Sequence, residues 1–285
     1  MIKSVYINMR PDDDSSLPLV QEVTTYLESK NIEIMMPLFP ILENSSLEKY
    51  TIDSIGPIIT DLVITIGGDG TFLRTARQFA ETSTPIFGIN RGTLGFLTEF
   101  NPSEYKTHLN DVLQNNFTVS ERAVMKAHLM DSKEGQRTSF FINDAVISKG
   151  ALSRPISLEL EINDMPLNSF SGDGLIVATA TGSTAYSLSA GGPIILPMAN
   201  NIFLINPVCP HSLAMRPMVV PSDSNLTVKI TSQLKNLLLT IDGQEAIHIE
   251  ENDKILIRNT EHKIRVITHP NKSYYHILRE KLKWG

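Results

Sequence analysis

Apolar and polar positions alternate on two different length scales along this chain. Residues 4–9, 33–36, 62–66 and 85–89 are short, nearly continuous apolar runs, the pattern of strands buried on both faces. Between them, residues 18–29 place Leu19, Val20, Val23 and Leu27 on one helical face, and residues 71–80 also read as a helix. Strands alternating with helices predict a parallel, doubly wound, Rossmann-like α/β layer.

From about residue 118 the texture changes. Residues 123–130, 139–148, 156–162, 226–230, 237–241, 254–257 and 263–268 are short and rich in β-branched side chains. Turn formers separate them, among them Asn163-Asp164, Asp242-Gly243 and Glu251-Asn252-Asp253. A largely antiparallel β domain is therefore expected, followed by a terminal helix over residues 273–283. The expected division is 1–100 for the α/β domain, with the tail 269–285 as a candidate to complete it, and 101–268 for the β-rich domain.

Composition narrows the chemistry. The chain has 285 residues, a formal charge of −6 and a pI near 5.7, which offers no broad cationic surface for nucleic acid. It has neither the apolar region of a secretory signal nor the ~20 apolar residues of a membrane span, so a cytoplasmic protein without a membrane partner is expected. Cys209 is the only cysteine, which excludes an intrachain disulfide and reads as a packing residue. The seven histidines show no metal-binding spacing and read as surface or satisfied core residues. Asp12-Asp13-Asp14, between Pro11 and two serines, reads as a solvated loop.

Four stretches concentrate polar chemistry. The strand at 62–66 runs into Gly67-Gly68-Asp69-Gly70-Thr71, where glycines permit close backbone approach and a following helix start favours anions. A carboxylate there serves a cation or takes a proton from a hydroxyl, both of which belong to phosphoryl transfer. A tight strand-to-helix turn with Asp69 as a helix cap accounts for the same residues. Arg74, one turn further on, is a cation within reach of a pyrophosphate, as is Arg154.

The second stretch is Asn143-Asp144, an amide and an acid at a strand end, suited to an adenine edge and a ribose hydroxyl or to an Asx turn. The third runs from Gly172-Asp173-Gly174 to Thr181-Gly182-Ser183-Thr184-Ala185-Tyr186-Ser187-Leu188-Ser189. Its hydroxyls and ring suit a nucleoside, and it leads into an expected helix over 184–190, although a flexible loop has the same composition. The fourth, Gly88 to Leu97, is a glycine-spaced loop whose Phe96 either closes a pocket or packs at a domain junction. Neither G-x-G-x-x-G nor G-x-x-x-x-G-K-[ST] occurs.

Together with Pro210-His211-Ser212-Leu213 and Arg216-Pro217, these motifs resemble, in order and over about residues 60–245, the NAD kinase family. The resemblance implies an N-terminal α/β domain, a C-terminal β-rich NAD-binding domain and an active site in a cleft between them. It implies transfer of the γ-phosphate of ATP to the 2′-hydroxyl of the adenosine ribose of NAD, giving NADP. A divalent metal, Mg²⁺ or another, would come bound with ATP, no stable metal site being assigned to the protein itself. Asp69 falls at the family's catalytic, proton-accepting position, and Gly67, Gly68, Gly70 and Thr71 at its phosphate-binding turn. Asn143 and Asp144 match the pair that binds NAD, with aspartate where many members carry glutamate. Thr181, Thr184, Ala185, Tyr186, Ser187, Leu188 and Ser189 match the adenosine segment, and Arg154, Asp173 and Gln244 other dinucleotide contacts, beside Asp69, Gly70, Arg74 and Phe96. A homo-oligomer, dimer or tetramer, is implied as well. The rival readings are a lipid kinase, which would need an apolar cavity and a membrane-facing surface, and an NAD(H) sensor in which Asp69 is structural.

Overall fold

The structure, a computed structural model, describes residues 2–53, 57–92, 94–130, 135–150, 154–234 and 236–284. The chain divides into two compact units, residues 1–120 with 264–285, and residues 121–263.

The first unit opens with β1 (Ser4–Met9), α1 (Leu17–Glu28), β2 (Glu33–Pro37) and the short β3 (Thr51–Ile52). It continues with β4 (Leu62–Gly67), α2 (Asp69–Gln78), β5 (Pro85–Asn90) and α3 (Tyr105–Leu113). The strands pair in parallel in the order β3-β2-β1-β4-β5. Alternating apolar residues decide which helix face meets this sheet: Val20, Val23 and Leu27 of α1 are buried with Val5, Ile7 and Met9 of β1 and Leu62, Ile64 and Ile66 of β4.

Residues 121–263 form two antiparallel sheets. Their strands are β6 (Val119–Leu129), β7 (Arg137–Phe141), β8 (Asp144–Ser148), β9 (Ile156–Ile162), β10 (Met165–Gly172) and β11 (Gly174–Thr179). A single helical turn, α4 (Tyr186–Ser189), precedes β12 (Ile202–Val208), β13 (Met218–Pro221), β14 (Leu226–Ile230), β15 (Leu237–Ile241), β16 (Glu245–Ile249) and β17 (Lys254–Ile267). One sheet pairs β10-β9-β14-β17, with β6 and β7 beyond, and the other runs β13-β12-β11-β8-β15-β16. Inward residues of both, such as Leu158, Val228 and Ile257 on one side and Ile147, Val177 and Leu239 on the other, share one buried core.

The last residues return to the first unit. Arg265 and Val266 of β17 pair in parallel with Pro85 and Ile86 of β5, and α5 (Tyr274–Leu282) ends the chain, its N-cap Ser273 accepting from the His276 N–H. The expected parallel α/β layer, antiparallel β unit and terminal helix are all present. The pattern differs in detail at three places. The single run expected over 139–148 is broken at Ile142 and Asn143, and the two runs at 254–257 and 263–268 are one strand. Instead of a helix over 184–190 there is a 3-10 turn at Thr181–Thr184 followed by α4, because Ser183 and Thr184 turn their hydroxyls onto the carbonyls of Ala180 and Thr181.

Candidate active site

In the first unit β1 has β2 on one side and β4 on the other, so the connections leaving β1 and β4 run in opposite directions along the sheet. Such a switch point opens a crevice at the carboxyl ends of the two strands. The loop after β1 and the turn Gly67–Gly70 after β4 both lie there. The helix expected to start at Thr71 starts two residues earlier: Gly68 is its extended N-cap, and the first intrahelical bond runs from the Phe72 N–H to the Gly68 carbonyl.

Asp69 is therefore the first helical residue, and its carboxylate makes no cap. It reaches instead to the loop after β5, accepting from the N–H groups of Phe96 at 2.8 Å, Leu97 at 3.0 Å and Thr98 at 3.2 Å, and from the Thr98 hydroxyl at 3.2 Å. Three of these donors meet Oδ1 and one meets Oδ2, which leaves Oδ2 the less engaged oxygen. The fit depends on Gly95, where a Cβ would lie 2.1 Å from Asp69 Oδ1.

Arg91, next in chain to β5, donates to Asp13 and, at 3.0 Å, to the Ser15 hydroxyl. The acidic run is thus not simply a solvated loop, since one of its carboxylates neutralises a guanidinium at the crevice. Arg74 is exposed on α2, and Phe96 packs 6.1 Å from the Tyr274 ring of α5. Thr93 of the same glycine-spaced loop lies outside the described residues.

In the second unit, the break between β7 and β8 carries Asn143 and Asp144. Its backbone is tied on several sides. The Thr179 N–H donates to the Asn143 carbonyl at 2.9 Å, and the Thr179 hydroxyl donates to that of Ile142. Gly182 passes so close that a Cβ there would lie 2.0 Å from the Asn143 oxygen. Asn143, Asp144, Val146, Ser148, Ala185, Tyr186, Thr240, Asp242 and Gly243 line a pocket of about 400 Å³. Tyr186 is 48% exposed, whereas Asp144 is 4% exposed. Burial first, and the neighbouring Asp242 second, push the Asp144 carboxyl up to about 7, against the opposing effect of the Tyr186 N–H.

The other expected residues of this unit divide by environment. Thr184 and Leu188 are half-buried and Ser189 is exposed. Thr181 is buried, and its hydroxyl has no partner among the described residues. Ser187 is buried against Asn206, whose amide donates to its carbonyl at 2.9 Å. Asp173 forms an ion pair with Lys149 at 2.7 Å, which holds its carboxyl below the usual range. Arg154 and Gln244 are exposed, the latter in the β15–β16 turn. Sequence reasoning missed Asp242, whose Asp-Gly context signals only a turn, and the pairing of Arg91 with Asp13, 78 positions away.

Among the described residues, one trio of metal-capable side chains comes together, Glu104, His108 and His269 in the first unit. His269 is neither the surface histidine nor the satisfied core histidine expected: it is buried, its Nδ1 accepts from the Asn271 N–H at 3.1 Å, and among the described residues its Nε2 has no hydrogen-bond partner, Glu104 Oε2 lying 3.6 Å away. Because Nδ1 accepts, the proton of the neutral ring is on Nε2, which leaves no lone pair there for a metal. Asp69 belongs to no such trio among the described residues.

A glycine turn with an acid at a sheet switch point, and a pocket headed by an amide–acid pair, are the parts of a nucleotide-handling phosphotransferase. Sequence models described as the ATP-NAD kinase N-terminal domain and the ATP-NAD kinase C-terminal domain match residues 5–117 and 142–269. The chain belongs to the NAD kinase family. It is 37% identical to the NAD kinase of Geotalea daltonii over 100% of this chain and 99% of that one. With the NAD kinase of Magnetococcus marinus it shares 42% identity over 79% of this chain and 74% of the relative. A crystal structure of yeast NADH kinase complexed with NADH superposes with a TM-score of 0.88 at 27% identity, covering 100% of this chain and 88% of that one.

Proposed function

We propose that this enzyme moves the γ-phosphoryl group of ATP onto the 2′-hydroxyl of the adenosine ribose of NAD, giving NADP and ADP. The observation that carries the reading is the match to both ATP-NAD kinase domains, with the Asn143–Asp144 turn standing at a pocket of nucleoside size. Asp144 accepts from a ribose hydroxyl, Asn143 pairs with a base edge, and Tyr186 offers its exposed ring for stacking.

Asp69 has two duties. Through Oδ1 it braces the loop at 96–98, and through the less engaged Oδ2 it takes the proton of the attacking hydroxyl. The 2′-oxygen then bonds to the γ-phosphorus as the bond to the ADP oxygen breaks. General-base help of this kind contributes roughly 10²–10⁴-fold. Gly67, Gly68, Gly70 and Thr71 hold phosphate oxygens at the start of α2, where the helix dipole favours negative charge. Bound with ATP, a divalent ion, Mg²⁺ or another, would neutralise phosphate charge.

Arg74, Phe96, Arg154, Asp173, Thr181, Thr184, Ala185, Ser187, Leu188, Ser189 and Gln244 are proposed as further dinucleotide contacts on the family resemblance. The same resemblance supports a cytoplasmic homo-oligomer, dimer or tetramer. Among the described residues no helix is long and apolar enough to cross a membrane. Purified protein with NAD, ATP and Mg²⁺, followed by an NADP-specific dehydrogenase, tests the reading. ATP-dependent NADP is expected; NAD binding without NADP formation would leave a sensor instead.

A further inference from the structure

We propose that Asp242 is the positioning residue of the dinucleotide pocket: its carboxylate holds the Asn143–Asp144 turn in the one conformation that presents both side chains to the ligand. The inference rests on the reading of this pocket as the NAD site.

Asp242 and Gly243, with φ of 47° and 65°, are the central pair of the turn closed by the Gln244 N–H on the Ile241 carbonyl, in the three-residue loop between β15 and β16. A turn with positive φ at both positions accepts asparagine or glycine at the first as readily as aspartate. Turn chemistry therefore leaves the carboxylate unexplained. Its partners explain it. Oδ1 accepts from the Asn143 N–H at 2.7 Å and the Asp144 N–H at 3.1 Å, and both oxygens lie 3.2 Å from the Ile142 N–H.

Three successive N–H groups converging on one side chain need an acceptor without hydrogens, which an ionised carboxylate is and an amide is not. The bond is also returned, since the Asp242 N–H donates to the Asp144 carbonyl at 2.8 Å. Thr179 holds the carbonyls of Ile142 and Asn143 from the other side. The turn is thus clamped across 98 to 100 positions of sequence before any ligand arrives. Preorganisation of this kind lowers the ordering cost of binding.

The clamp has an electrostatic consequence. Asp144 is faced by Asp242 from the β15–β16 turn, by the Tyr186 N–H from α4, by the Asn143 amide from its own turn, and by Ser148 and Thr240 around the pocket. No cation is among the described residues that line it. Burial and Asp242 together raise the Asp144 carboxyl to about 7, so NAD capture strengthens as pH rises through that value.

The test uses the full chain and compares wild type, Asp242→Asn and Asp144→Asn, with KM for NAD and kcat measured from pH 6 to 9. Asparagine keeps the turn backbone and removes the charge. For Asp242→Asn we expect KM for NAD to rise about tenfold, kcat to fall less than threefold, and the inflection in KM to move below pH 7. For Asp144→Asn we expect a raised KM and no inflection. Unchanged KM in Asp144→Asn overturns the pocket assignment itself; a raised KM there with an unchanged KM and inflection in folded Asp242→Asn overturns only the positioning role. Should Asp242→Asn not fold, amide hydrogen exchange of the wild type decides: slow exchange at Ile142, Asn143 and Asp144 before NAD is added is expected, and unprotected amides overturn the clamp.

Discussion

Gly95 lies against the carboxylate of Asp69 so closely that a methyl group on its α-carbon would stand 2.1 Å from Oδ1 and 2.4 Å from the Thr98 hydroxyl. Neither atom is the free end of a long flexible chain. Gly95→Ala should therefore push Asp69 off the Phe96, Leu97 and Thr98 donors, costing about 1–3 kcal/mol of stability and a large part of turnover. Thermal unfolding together with NADP formation checks both; wild-type values for each would show that the loop gives way freely.

Asp69→Asn separates the two duties of that carboxylate. The side-chain oxygen still accepts from part of the loop, but the general base is gone. A loss of roughly 10²–10⁴-fold in kcat with unchanged circular dichroism is expected. Near-wild-type turnover would leave Asp69 as a brace only.

Gly68 poses the opposite case. Its φ of −101° suits any residue, and a Cβ added there meets nothing within 4 Å. Neither φ nor space asks for glycine there, and on the proposed function a phosphate oxygen takes that space. Gly68→Ala should lower stability by no more than about 1 kcal/mol, because alanine is a poorer N-cap than glycine but loses less backbone entropy on folding, while raising KM for ATP. Titration of ATP against both forms is the check, and equal KM values would reassign the space.

His269 should tie stability to pH. Burial, followed by the charge of Lys272, lowers its affinity for a proton below the ordinary value of 6.5. The unfolded chain then binds more protons as pH falls through 6.5, so stability declines on the acid side. Asp144, raised to about 7, acts in the opposite sense, losing stability as pH rises from about 4 to 7. The two overlap, and the measurement is therefore the difference between wild type and His269→Gln in urea unfolding from pH 8 to 5.5. The gap should narrow toward acid pH; a constant gap would mean that the ring does not titrate in this window.

A chelator should distinguish an ion that arrives with ATP from one held by the protein. With no trio of ligands at Asp69 among the described residues, excess chelator is expected to abolish turnover and leave the melting temperature unchanged. A fall in melting temperature would reveal a resident ion.

The sequence made the scaffold legible because periodicity is local. The β1 run at 4–9, the β9 run at 156–162 and the turns at Asn163-Asp164 and Asp242-Gly243 are each set by neighbours a few positions away. The break between β7 and β8 was half legible, since an amide–acid pair reads as a strand end or an Asx turn while the apolar run continues across it; what was not legible is the carboxylate about a hundred positions downstream that ties it. Asp69 was visible through its glycines, but its engagement by Phe96, Leu97 and Thr98 was not, for the same reason. The site motifs were local, whereas the hydrogen bonds that aim them are not.

Because residues 265 and 266 supply the partner for β5, the N-terminal sheet cannot be completed while the ribosome is still translating it. Gly88 and Asn90 of that edge bond Phe100 early, but its Pro85–Ile86 end waits for a partner through synthesis of all of 121–263. The β-rich unit is thereby free to mature first, and a nascent chain stalled before residue 264 displays an open parallel edge of the kind that invites association with other copies or capture by a chaperone.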